Sequence, residues 1–154
     1  MSDLMKHPAG NDCDCGSSIA EAKSMGCIFD ALASAWLPSE CRDDELTAEF
    51  NRSRSGPDGS WPYYADANGT IPITTTDIAL MGGTSKLWYS TKEWHVVHCN
   101  FYWRKKFRMK KTGRLIERRY DRMEHIRHCN GVVMNDLPMD SIAVHAGVSL
   151  NSAA

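Results

Sequence analysis

Two short windows hold most of the chemistry available to this 154-residue chain. Glu93-Trp94-His95-Val96-Val97-His98-Cys99 and Glu124-His125-Ile126-Arg127-His128-Cys129 both contain H-x-x-H-C, with their first histidines 30 residues apart. Four of the six histidines and two of the six cysteines lie in them. One such match is uncommon by chance, and two are far rarer. On a helix, positions i, i+3 and i+4 share a face, so each window presents two imidazoles and a sulfur as one stripe. Imidazole suits zinc, copper, iron and nickel, and affinity for such ligands peaks at copper.

Three readings of the pair compete. His95, His98, His125 and His128 are ligands of a catalytic metal, with Cys99 and Cys129 either ligating too or joined as a disulfide. A closed structural zinc site of the Cys2His2 type is the second, although it needs thiolates that an oxidising compartment consumes. Ordinary polar core or surface histidines are the third. The doubling of the motif favours the catalytic metal, and equivalent positions on facing helices favour the disulfide. Glu93 and Glu124 precede the first histidine of each window. They are candidate acceptors for imidazole N–H groups, or simply carboxylates near a helix start. Tyr102, four residues after His98, is a candidate hydrogen-bonding or redox partner of the metal, or an aromatic packed between helices. Trp61, Tyr63, Tyr64, Trp88 and Trp94 either line an apolar pocket or fill a small core.

These groups meet only if the chain folds a helical pair. The pattern predicts helices over about Thr91–Lys110 and Tyr120–Val133, turned at Thr112-Gly113. An antiparallel hairpin of the two would bring both stripes together. Ser17 or Ser18 is a candidate cap for a helix ending at Gly26. An apolar stretch from Cys27 to Leu37 closes at Pro38, and Asp43-Asp44-Glu45 opens a short helix. Residues 51–70 read as a long loop, and Ile71–Thr76 as an extended segment. The expected fold is therefore mainly α, with short extended segments and long loops. It is a small single domain built around the helical pair and supported by disulfides. Residues 1–12 read as a flexible lead, 13–134 as the metal-binding domain, and 135–154 as a loosely ordered tail.

A net charge of −1 hides a strong asymmetry. Residues 1–60 carry 11 acidic and 5 basic side chains, whereas residues 101–128 carry 11 basic and 3 acidic. The basic run from Arg104 to Lys111 reads first as a solvated helix face salt-bridged to the acidic half. No recognition module accompanies it, so nucleic acid is excluded as a partner. No stretch approaches the apolar length of a membrane span. The N-terminus shows no apolar run and is no signal peptide as it stands. Cys13, Cys15, Cys27 and Cys41, crowded beside turn formers, look like disulfide cysteines in a pairing the sequence leaves open. Asn51-Arg52-Ser53 and Asn68-Gly69-Thr70 are N-glycosylation sequons. A lumenal or extracellular site is favoured.

At the paired windows the chain resembles the fungal UstYa-type proteins of secondary metabolism, whose hallmark is two H-x-x-H-C motifs about 30 residues apart. Cys15-Gly16-Ser17-Ser18, Gly26-Cys27, Trp36-Leu37-Pro38 with Cys41, Asp44–Phe50, Trp61–Tyr64 and Trp94-His95 fit a subgroup. The likeness spans roughly residues 13–133. It implies a metal-dependent oxidoreductase using copper, with zinc as alternative, and O2 as co-substrate. The substrate would be a small natural product of peptide or polyketide type. The reaction would be oxidative cyclisation, desaturation, hydroxylation or halogenation at C–H. The ligand roles fall on His95, His98, His125 and His128, with Cys99 and Cys129 completing the motifs. The resemblance also implies a homo- or hetero-oligomer with related subunits, and a membrane association only where an N-terminal anchor has been removed. Asn100 and Asn130 depart from the apolar residue usual after the motif cysteine. Two other functions stay open: a non-catalytic, metal-stabilised accessory subunit, and a metal-independent cyclase or isomerase using histidine as acid or base.

Overall fold

A computed structural model describes residues 13–151. The expected flexible lead, with His7, lies outside the described residues, as do positions 152–154. The chain forms α1 (Ile19–Ser24), β1 (Ile28–Asp30), β2 (Ala35–Leu37), α2 (Asp44–Phe50), β3 (Tyr63–Tyr64), β4 (Pro72–Ile73) and α3 (Thr75–Ala79). These are followed by β5 (Trp88–Thr91), α4 (Lys92–Thr112), α5 (Met123–Met134) and β6 (Ile142–Ala146). β1 and β2 pair as an antiparallel two-stranded unit. The other strands build one antiparallel sheet in the order β4-β3-β5-β6.

The expectation of a mainly α protein is overturned by these two sheets. The strands are two to five residues long, too short for an alternating pattern to stand out from the flanking loops. Tyr63–Tyr64 lies inside the stretch expected as loop, and pairs with residues both before and after α3 in the chain. The C-terminal stretch is corrected too. Ile142–Ala146 pairs with β5, and Val144, Val148 and Leu150 are buried. Three apolar side chains drawn into the core hold this segment down, where weak periodicity suggested a chain wandering over the surface.

The two long helices appear close to where the motif spacing placed them. Thr91 caps α4 by accepting the Trp94 N–H, and Gly113 ends it at φ +70 with its N–H donated to the Met109 carbonyl. That left-handed conformation is one that glycine adopts without the steric cost a Cβ brings. Against α4 and the sheet lies an aromatic core. Phe50 touches Trp61, Trp94 and Phe101 with ring centroids 5.5–5.6 Å apart, and Trp88 meets Trp94 at 4.8 Å. The aromatics of the sequence therefore serve mainly as core.

Charge asymmetry resolves into pairing between α4 and the acidic α2 region. Arg104 binds Glu49, and Arg108 binds both Asp43 and Glu45. Lys105 is buried and donates to the Cys41 carbonyl, while Lys106 pairs with Asp121. Three disulfides fasten the fold: Cys13–Cys41, Cys15–Cys27 and Cys99–Cys129. They fit a secretory or extracellular protein. Among the described residues no helix is long and apolar enough to cross a membrane.

Candidate metal centre

α4 and α5 carry the two motifs, and their turn-by-turn repeat puts each set on the side where the helices meet. Cys99 and Cys129 are fully buried there and bonded to each other. The disulfide takes both sulfurs out of any thiolate ligand set, so the two cysteines assigned with the ligands are a covalent pin instead. Because each cysteine follows the second histidine of its motif directly, that pin brings His98 and His128 into one neighbourhood.

All four motif histidines border a single cavity of about 370 Å³. His95 Nε2 and His128 Nε2 lie 3.0 Å apart. The His98 ring stacks on Trp94 with centroids 4.9 Å apart and meets His125 edge-on at 5.7 Å. His98 Nδ1 is 2.7 Å from the Leu32 carbonyl oxygen. A carbonyl only accepts, so Nδ1 carries the hydrogen and Nε2 keeps its lone pair. A backbone carbonyl fixing one ring nitrogen is the usual partner of a metal-binding imidazole. His125 Nε2 lies 3.5 Å from Cys129 Sγ.

Burial and mutual repulsion lower His95, His98 and His125 below the ordinary imidazole range and so favour their uncharged forms. Burial first, then the nearby His128 and His125, pushes His95 down to about 4. His98 is depressed well below the ordinary imidazole range by burial, with His125 and His95 adding to it. His125 is lowered by burial and by His128. A neutral imidazole is the form with a lone pair to give to a metal.

Does the cluster fit a metal ion? Two imidazole ligands of one ion, each about 2.0–2.1 Å from it, sit roughly 3 Å apart. The His95–His128 pair has that separation. Among the described residues, no group of three or more His, Cys, Asp or Glu side chains is arranged to hold an ion. Any fit would rest on the His95–His128 pair, with His98 and His125 as neighbouring rings in the same cavity.

The carboxylates and the tyrosine do not join this centre. Glu93 accepts the Ser55 backbone N–H at 2.8 Å, which ties the loop after α2 to the start of α4. Glu124 is exposed and makes no hydrogen bond or ion pair among the described residues. The Tyr102 ring lies 4.9 Å from that of His98, but its hydroxyl donates to Glu117 Oε1. Burial, then the Glu117 charge, pushes that phenol well above its usual range.

Several residues of the site carried no signal in the sequence. Tyr120 stands against His125 and His98 at 4.7 and 5.2 Å and donates to the Ala33 carbonyl. Ser34, with φ +52, borders the cavity, accepts the Trp88 indole N–H and donates to the Gly147 carbonyl. His145 borders it from β6. Glu117 is completely buried, and its Oε2 has no hydrogen-bond partner among the described residues. None of these belongs to a spaced motif; the fold alone assembles them.

No family model matches the chain, and no solved structure matches it. It is similar to two proteins of Diaporthe leptostromiformis, phomopsin biosynthesis cluster proteins B and B′. Each is 28% identical over 118 residues, which make up 75% of this chain and 34% of the relative. The chain thus spans about a third of the length of the relatives it matches.

Proposed function

We propose that this chain is a copper-dependent, O2-using oxidoreductase of fungal secondary metabolism, acting at a C–H position of a small natural product. The observation that carries the reading is the 3.0 Å approach of His95 and His128, one from each motif, inside a cavity shared with His98 and His125. The two relatives, named for a biosynthesis cluster, support the metabolic setting. Bound copper would supply one-electron redox chemistry towards O2 and substrate.

The rest belongs to this chain's own residues. His95 and His128 would hold the ion, and the Cys99–Cys129 bond keeps their helices from separating. Leu32 fixes the tautomer of His98 and so keeps its free nitrogen unprotonated. Trp94 and Tyr120 form apolar walls that exclude water from part of the cavity. Glycans on the exposed Asn51 and Asn68 belong to the same reading of a secreted protein.

Metal analysis of protein purified without a histidine tag tests this, together with the Cu(II) electron paramagnetic resonance spectrum. The expected result is about one copper per chain with nitrogen hyperfine structure, lost in His95→Ala/His128→Ala. Copper binding that survives the double substitution overturns the assignment. One observation favours a second reading. The 3.0 Å separation is also hydrogen-bond distance between the two imidazoles, and such a pair can serve as acid and base without a metal. Turnover by metal-free protein would select it.

A further inference from the structure

The cavity has one wall that this chemistry leaves unused. β6 ends its sheet and, among the described strands, pairs with β5 alone. An edge strand leaves every second N–H and C=O without a ladder partner. Along β6 the side chains alternate, with Val144 buried and Ala143 and His145 exposed. Ala143, Val144, His145 and Ala146 nevertheless all border the same cavity as the motif histidines. Residues from opposite faces of a sheet line one space only where the strand meets it edge-on. The backbone edge itself is therefore part of the site.

Nothing in the local sequence blocks that edge. Natural edges are guarded by Lys, by Pro, by inward charge or by bulges. Ile142-Ala143-Val144-His145-Ala146 has no Lys, Pro or inward charge, and its one irregularity is a register shift at Ala143, which leaves Val144-His145-Ala146 in regular pairing with β5. The clamps come later in the chain: the Ser34 hydroxyl bonds the Gly147 carbonyl, and Ser149 pairs with the backbone of Ser34 and Trp36. No Lys, Arg, Asp or Glu borders the cavity, so the space suits an uncharged occupant.

We propose that β6 binds the substrate by its backbone, pairing with an extended, uncharged peptide segment laid as an added strand beside His95 and His128. Such an occupant offers amide donors and acceptors at strand spacing, which a polyketide chain does not. The proposal rests on the cavity being the substrate site of the function proposed above, and it selects the peptide class of substrate within that reading.

The test uses the metal-free protein, so it succeeds or fails independently of any copper chemistry. Terminally blocked Val/Ala hexapeptides are titrated in, with protein amide resonances as the readout. Shifts are expected at residues 142–146, and N-methylation of the peptide at alternate amides should weaken binding about tenfold, with little effect at the amides between. His145→Pro and Ala146→Pro are compared, because adjacent residues point their N–H groups to opposite sides of the strand. The variant that keeps β5 protected from hydrogen exchange carries its proline on the open edge. That variant should lose about tenfold in affinity relative to the parent. A flat methylation scan, shifts confined to other residues, or self-association through β6 without peptide binding would each overturn the proposal.

Discussion

Replacing both cysteines of the central bridge, Cys99→Ala with Cys129→Ala, separates the staple from the site it holds. The bridge closes a span of 30 residues. In the chain-entropy account, a loop of that size contributes about 3–4 kcal/mol by restricting the unfolded chain. Both sulfurs are completely buried, so truncation removes packing contacts as well. A domain of this size has about 5–15 kcal/mol of stability, so the variant should fold but with little margin. With a urea dependence of about 2 kcal/mol per molar, the midpoint should fall by about 1.5–2 M. Urea unfolding followed by tryptophan fluorescence reads this directly. Copper affinity should fall too, by about tenfold, because His98 and His128 adjoin the bridge and the 3.0 Å approach of His95 to His128 depends on the helix spacing. A midpoint shift below about 0.5 M would refute the loop-closure reasoning. Full stability loss with unchanged copper affinity would show that the bridge does not position the histidines.

Tyr102→Phe removes the hydroxyl that donates to Glu117 and strands a buried carboxylate oxygen. The expected cost is about 1–3 kcal/mol in urea unfolding with copper content unchanged; normal stability with lost copper would instead put the phenol at the metal. The metal-free protein should lose stability on acidification from about pH 6.5 towards 4. The sign follows from His95, His98 and His125, whose folded forms resist protons that the unfolded chain accepts below its ordinary imidazole pKa. His95→Phe with His98→Gln should flatten that slope, and an unchanged slope would assign the acid sensitivity to other groups.

Much of the centre was legible from residue type and spacing. H-x-x-H-C at helical period placed His95, His98 and Cys99 on one stripe, and Thr112-Gly113 was readable as the stop between helices. The pairing of basic α4 with the acidic N-terminal half followed from charge clustering. The sheet was not legible, because strands such as Tyr63–Tyr64 are defined by partners far along the chain rather than by a local pattern. Glu93 shows the same limit on the site. Its position before a motif histidine suggested an imidazole partner, but the loop carrying Ser55 reaches it instead.

Local periodicity and residue chemistry by themselves determined which side chains can bind a metal and that two helices carry them. Tertiary structure decided everything that depends on distance between remote segments. It joined Cys99 to Cys129, set His95 against His128, and brought the four imidazoles to one cavity bordered by the helices and β6. The physical reason is that a helix face is a property of neighbours three and four residues apart. A cavity exists only once burial of Phe50, Trp88 and Trp94 has fixed how sheet and helices pack.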